Sequence, residues 1–541
     1  MGSSEHHLTR GVSAGWGRPG FAPSPGGRGI GMSVAQCVDG LGPSCLSHLA
    51  AAHPQASPFL SSLSSDDGQP AQIHLALSSA PGRLSVTWVT KAECPASAAW
   101  FRGIRLPANS STYSVPRRWW QPRTQVWIHT ATLDGLGSSE EFAYVVGDNT
   151  TMGCNVTAPI HARAPPARGD FPVTAALLAD VGSVEVLGFL VWRTLDERTR
   201  PGGPLDADLA IHAGDVSYAG MDTAIPFLNV SKADEWEPLW DLYGDAHQNF
   251  SQRRAYQVGV GNHEAWYDWV AVRHRYPMAT TTSSSTSDSS SSAASVGAAS
   301  ASASSASASS SSPTSSAAAV AEQLAEPPFW YTFVSGGTHW TMLSSEHDYG
   351  PGSAQHGFAS AALAAVNRTL TPWSAVAFHR PMYCSDASEF SEHSPGGALQ
   401  RALEPLLLSH AVDLVVTGHE HAYERVHPNV AGNVTSTPSR LPNGELAYIR
   451  PRAPLHLMVG HGGAAQEEQW VRPAPSWSAA RFSQGCDFTG ERRACALLNG
   501  SYGYTHSFGW VHAQFVNRSH ARLQTEMVAG DLHDAVWLIR E

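Results

Sequence analysis

Five short apolar runs in this chain each stop at a residue able to bind a metal ion, and no other feature narrows the fold as much. Thr174-Ala-Ala-Leu-Leu-Ala179 leads into Asp180-Val-Gly182, and Leu209-Ala-Ile-His-Ala213 leads into Gly214-Asp215-Val-Ser-Tyr218. Tyr256-Gln-Val-Gly-Val260 leads into Gly261-Asn262-His263-Glu264, Ser374-Ala-Val-Ala-Phe378 into His379, and Val412-Asp-Leu-Val-Val416 into Gly418-His-Glu-His421. Short continuous apolar runs alternating with longer segments indicate buried strands with covering helices. Ligands at the carboxyl ends of neighbouring strands converge on one crevice. Singly, each residue has an ordinary explanation: a turn for Asp180 or Asn262, a packed ring for Tyr218, a core histidine for His379. Five in order, each at a strand end, point to a metal site.

The rest of the chain divides by texture. At 541 residues it is too long for one small domain. Residues 1–68 are rich in Gly, Pro and Ser and read as a disordered leader. Over 69–162 apolar and polar residues alternate, as in Leu84-Ser-Val-Thr-Trp-Val89 and Glu141-Phe-Ala-Tyr-Val-Val146, with turn signals such as Pro81-Gly82 between the runs. That pattern predicts a β-sandwich. The part that carries the five runs spans 168–541 and is interrupted by 279–326, a Ser/Ala-rich stretch that cannot bury enough apolar surface to offset its ordering entropy. It is expected to be a disordered insertion.

Charge and composition exclude some partners. The net charge of −12 and the lack of a Lys/Arg cluster argue against nucleic acid and anionic membrane. No run of about 20 apolar residues occurs, so no membrane span is expected. Nine of the few asparagines sit in Asn-X-Ser/Thr triplets: Asn109, Asn149, Asn155, Asn229, Asn249, Asn367, Asn433, Asn499 and Asn517. This points to N-linked glycans and a secreted, extracellular or vacuolar protein. The first 60 residues show no apolar signal-peptide core, so the true N-terminus is expected to be missing from this chain. Seven cysteines leave at least one thiol over; Cys486 and Cys495 flank a short polar loop and can pair, Cys94 and Cys154 bracket the predicted sandwich, and the pairing stays open at this point.

The series Asp-X-Gly, Gly-Asp-X-X-Tyr, Gly-Asn-His-Glu, Val-X-X-His and Gly-His-X-His resembles that of the purple acid phosphatases, within the calcineurin-like metallophosphoesterases. Gln72-Ile-His-Leu-Ala-Leu77 with Val86-Thr-Trp-Val-Thr90 looks like the N-terminal fibronectin-III-like domain of the larger plant and algal members. The resemblance covers about 70 to 541 apart from the Ser/Ala insertion, and it implies an N-terminal all-β sandwich plus an α/β metallophosphoesterase domain of two packed mixed β-sheets flanked by helices. It also implies Fe(III) held by Asp180, Tyr218 and His421, a divalent ion (Zn, Fe or Mn) held by Asn262, His379 and His419, and Asp215 bridging the two. A hard ion suits carboxylate and phenolate, a borderline one imidazole and amide. The implied activity is hydrolysis of phosphate monoesters by a metal-bound hydroxide, with His263 and His393 as the histidines that meet the phosphoryl group and leaving oxygen. Phosphodiesterase or nucleotide pyrophosphatase chemistry on the same site is the near alternative, and an inactive cell-surface binding protein the distant one. A homodimer is a further family expectation. In an extended strand His419 and His421 would point the same way; the resemblance instead assigns them to different ions and leaves Glu420 a bystander.

Overall fold

The computed structural model describes residues 67–114, 126–182, 186–200, 203, 205–219, 238–278, 329–464, 470–483 and 506–540, with four two-residue strands between 486 and 502. Most of the predicted leader and the whole Ser/Ala insertion lie outside the described residues. The leader's last two residues belong to the folded part: the Asp67 carbonyl accepts from Lys91 and Ala92, and that of Gly68 from Asn155.

Two large sheets form the catalytic part, each built around parallel strands. In the first, Val173–Leu178, Leu209–His212 and Ala255–Val258 run parallel side by side. In the second, Thr338–Met342, Trp373–Ala377, Leu414–Thr417 and Leu455–Val459 do the same. Successive side chains on these strands go to opposite faces. Leu414 and Val416 enter the core shared by the two sheets, whereas Val415 joins Val376 under the helices Ala354–Ala364 and Ala398–Ser409. Both faces are therefore apolar, which is why the runs read as continuous rather than alternating. Burying one such Val or Leu side chain is worth about 1.5–3 kcal/mol. The helices Val186–Thr199 and Pro238–Ser251 cover the first sheet through Trp192, Leu195, Leu239 and Tyr243.

The N-terminal residues form two facing four-stranded sheets. One holds Ile104–Pro107, Ala98–Phe101, Glu141–Gly147 and Ile160–Arg163; the other holds Ala71–Leu77, Leu84–Thr90, Trp127–Leu133 and Asn109–Ser111. Trp88, Leu75, Val86, Phe142 and Tyr144 fill the space between them. Cys94 and Cys154 are joined by a disulfide, while Cys486 and Cys495 stand opposite each other in antiparallel register. The second sheet does not end at its own edge. Leu75 pairs with Ala255 in parallel register, so sandwich and catalytic part share one 12-stranded sheet.

That seam buries ionisable groups. His74, on the sandwich strand, packs against Tyr276 and His247 and is pushed down by burial from 6.5 to about 4, with the Gln72 carbonyl opposing. Burial likewise pushes His456 down to about 3. In the unfolded chain these rings take a proton near 6.5, while in the folded chain they stay neutral to lower pH. Between those values the unfolded state binds more protons, so their contribution is fully present above 6.5 and is lost as pH falls toward the folded values. Each is expected to withdraw roughly 1–2 kcal/mol between pH 6.5 and 5. Thermal melts of the wild type and His74→Phe at pH 7 and 5 check this. The variant should lose less stability on acidification, and an unchanged difference would refute the assignment.

Candidate metal centre

The predicted ligands lie at the carboxyl ends of the two sets of parallel strands and meet between the sheets. Asp180, Asp215 and Asn262 follow strands of the first sheet; His379, His419 and His421 follow strands of the second. The turns that carry them are strained. Asp180, Asp215, Tyr218 and His419 have φ of 56°, 52°, 56° and 76°, each costing about 1 kcal/mol or more. Glycines supply the clearance. A Cβ on Gly418 would stand 2.3 Å from Asp180 Oδ2, and one on Gly214, at φ 88°, would stand 2.8 Å from His379 Cβ.

Two groupings result. The Tyr218 hydroxyl donates to Asp180 Oδ1 at 3.0 Å and lies 2.8 Å from His421 Nε2, which is itself 3.8 Å from Asp180 Oδ1. In the other grouping, Asp215, His379 and His419 present one ligand atom each within 4.8 Å of one another. His379 Nε2 is 3.1 Å from Asp215 Oδ2 and 3.3 Å from His419 Nδ1. The other nitrogen of His379 lies 3.0 Å from the Ala213 carbonyl; donating to it, Nδ1 fixes the ring so that Nε2 faces Asp215 and His419. Asn262 Oδ1 is buried with no hydrogen-bond partner among the described residues. His419 and His421 thus go to different groupings, because the left-handed backbone at His419 breaks the extended geometry that would have aligned them.

Both predicted histidines are in the site. His263 lies against Tyr218 with the rings tilted by 38° and 4.6 Å between centroids, and its Nε2 is 3.8 Å from Asp215 Oδ2. His393 is buried beside His419 at 5.6 Å between centroids, with Nδ1 2.7 Å from the Pro381 carbonyl. Glu264 accepts backbone N–H bonds from Asp215, Val216 and Gly261 at 2.8–2.9 Å and so holds the ligand turns.

Burial opposes ionisation throughout. It raises Asp180 well above the usual carboxylate range, the His379 charge opposing and the Asp215 charge adding to the rise. Burial also raises Tyr218, helped by the negative charges of Asp180 and Asp215. At Asp215 burial is outweighed by His379 and His263, which hold the carboxyl low. Two carboxylates and a phenolate cannot all ionise in so enclosed a space without added positive charge. The unpartnered amide oxygen, the His379 Nε2 turned into the site and the O-rich and N-rich halves of the donor set therefore fit a pair of cations.

Residues 160–423, which contain every one of these ligands, match the family model described as calcineurin-like phosphoesterase. Residues 160–423 form a calcineurin-like phosphoesterase domain. Relatives of this phosphoesterase are purple acid phosphatases. It is 25% identical to purple acid phosphatase 18 of Arabidopsis thaliana over 72% of this chain and 70% of that protein. With acid phosphatase A of Cryphonectria parasitica it shares 24% identity over 80% of this chain and 82% of that protein. A purple acid phosphatase from yellow lupin (Lupinus luteus) seeds has the same fold, with a TM-score of 0.64 at 19% identity over 88% of this chain and 75% of the lupin chain.

Sequence reasoning passed over three polar residues of this phosphoesterase's site. Glu389 lies 3.0 Å from His419 Nε2 and 3.1 Å from His393 Nε2. Arg380 lies 2.9 Å from His419 Nε2. Glu420, expected to be a bystander, is buried 4.0 Å from His393, and burial with the nearby Asp386 and Glu389 charges pushes it up to about 8. An acid four residues before a candidate histidine was the one available signal for Glu389.

Proposed function

We propose that this phosphoesterase is an acid phosphatase that hydrolyses phosphate monoesters at a binuclear Fe(III)–M(II) centre. The reading is carried by the contact of the Tyr218 hydroxyl with both Asp180 and His421, beside a second grouping of carboxylate and imidazole donors. Asp180, Tyr218 and His421 would hold one ion, Asn262, His379 and His419 the other, and Asp215 would lie between. When bound, the ions would supply Lewis-acid charge and an activated water. The protein's own residues do the rest. Glu264 keeps the Asp215 turn in its strained conformation, sparing the site reorganisation. His263 faces the site from above the Tyr218 ring and can hold the proton that the leaving oxygen needs. His393, enclosed beside His419, meets the phosphoryl oxygens.

The test is the visible spectrum of purified protein, wild type against Tyr218→Phe. A broad tyrosinate-to-Fe(III) band in the green-yellow is expected in the wild type and not in the variant. A colourless, manganese-only protein with full activity on a phosphate monoester would overturn the assignment. A secreted or vacuolar glycoprotein belongs to the same proposal, supported by the exposure of Asn109, Asn149, Asn155, Asn249, Asn367, Asn433 and Asn517, every sequon asparagine among the described residues. The N-terminal sandwich is read as a fibronectin-III-like module that buttresses the catalytic part through the shared sheet.

A further inference from the structure

An arginine follows the ligand histidine directly, and its position is unusual for a cation. Arg380 has no lone pair to give a metal and stays charged, yet its Nη1 is 2.9 Å from His419 Nε2. It is fixed there from behind. Its backbone N–H donates to Ser345 Oγ at 2.8 Å, and its Nε donates to both oxygens of Glu346, at 2.9 and 3.2 Å. That clamp holds the guanidinium by its Nε and turns Nη1 toward the outward nitrogen of His419.

What Nη1 faces is an anion. One oxygen of Glu389, Oε2, lies 3.0 Å from His419 Nε2, 3.1 Å from His393 Nε2 and 3.8 Å from Arg380 Nη1. His419 turns its Nδ1 toward His379, so Nε2 is the nitrogen it presents outward. Three basic groups from three segments around a single carboxylate oxygen make a receptor for an anion with more oxygens than one. Glu389 is also the wrong kind of residue to be permanent there. Its side chain is 39% exposed, whereas Asp180 and Asp215 are 0% and 1% exposed. It can swing into water at little desolvation cost, which the buried aspartates cannot.

Building on the phosphatase reading, we infer that Arg380 binds the phosphate of the substrate, and that Glu389 is an internal anion holding the same place until the ester displaces it. A phosphoryl group brings more charge and several acceptor oxygens, so it outcompetes the carboxylate for the guanidinium fork. Glu346 acts by positioning Arg380. The contest with Glu389 sets the affinity for ester and for product phosphate.

The experiment measures binding of inorganic phosphate to the metal-loaded protein by calorimetry, with its inhibition constant, KM, kcat and metal content, for wild type, Arg380→Ala, Arg380→Lys and Glu389→Gln. Loss of a charged hydrogen bond predicts that Arg380→Ala weakens phosphate binding and raises KM roughly ten-fold or more at unchanged metal content. Arg380→Lys should recover part of this, having charge without the fork. Glu389→Gln should bind phosphate more tightly than wild type. Wild-type affinity in Arg380→Ala overturns the role of Arg380. Unchanged or weaker binding in Glu389→Gln, or loss of a metal from it, overturns the role of Glu389. A metal-loaded wild type that neither binds phosphate nor cleaves an ester overturns the phosphatase reading itself.

Discussion

Asp215→Asn is expected to lower kcat by about 10³-fold or more and to leave the protein short of at least one metal ion. Asp215 is the carboxylate proposed to lie between the two ions. Its Oδ2 lies 3.1 Å from His379 Nε2, and its Oδ1 accepts the His263 backbone N–H at 2.9 Å. The asparagine side chain keeps the shape but removes a negative charge from a buried position, where solvent screens it little. It also sets an amide NH₂ or a carbonyl against groups arranged for a carboxylate. Elemental analysis of the purified variant, with turnover of a chromogenic phosphate monoester, checks both halves. Full occupancy with wild-type turnover would mean that Asp215 does not lie between two ions.

The largest effect on stability is expected away from the centre. Arg425 and Asp534 form a buried two-pronged pair, Nε to Oδ2 at 2.6 Å and Nη2 to Oδ1 at 3.0 Å. The Tyr423 hydroxyl donates to Asp534 at 2.8 Å. Arg425 stands on Tyr423–Val426 in the second sheet, and Asp534 immediately precedes Ala535–Ile539 in the first, so the pair ties the two sheets together. Asp534→Ala leaves a guanidinium enclosed without a counter-charge and should cost about 3–5 kcal/mol. A fall in the urea midpoint would report it. The double variant Arg425→Met with Asp534→Leu should recover most of the loss, because the penalty comes from the unpaired charge and not from absence of the pair. Equal loss in single and double variants would refute that account.

Some of this was readable in advance for a plain reason. A strand buried on both faces writes a continuous apolar run, and a ligand needs a particular atom at the strand's end, so both leave local marks in the chain. Asp180, Asp215, Asn262, His379 and the Gly418-His-Glu-His421 turn were all found that way. His393 was harder, since its neighbours carry no periodic signal, and only the family resemblance pointed to it. The Leu75–Ala255 pairing that joins the sandwich to the catalytic sheet left no mark at all. An edge pairing is made by backbone groups, and backbone groups are the same in every sequence.

The sequence by itself determined the candidate donors, their order along two families of strands, and the sandwich that precedes them, because periodicity and side-chain chemistry are local properties. Tertiary structure alone decided which donors meet. It turned His419 toward His379 and His421 toward Tyr218, enclosed Glu420, and brought Arg380 and Glu389 to the outer side of His419. Those contacts depend on left-handed turns and on two sheets facing each other, and the Coulomb energy that governs the site depends on distances between residues far apart in the chain.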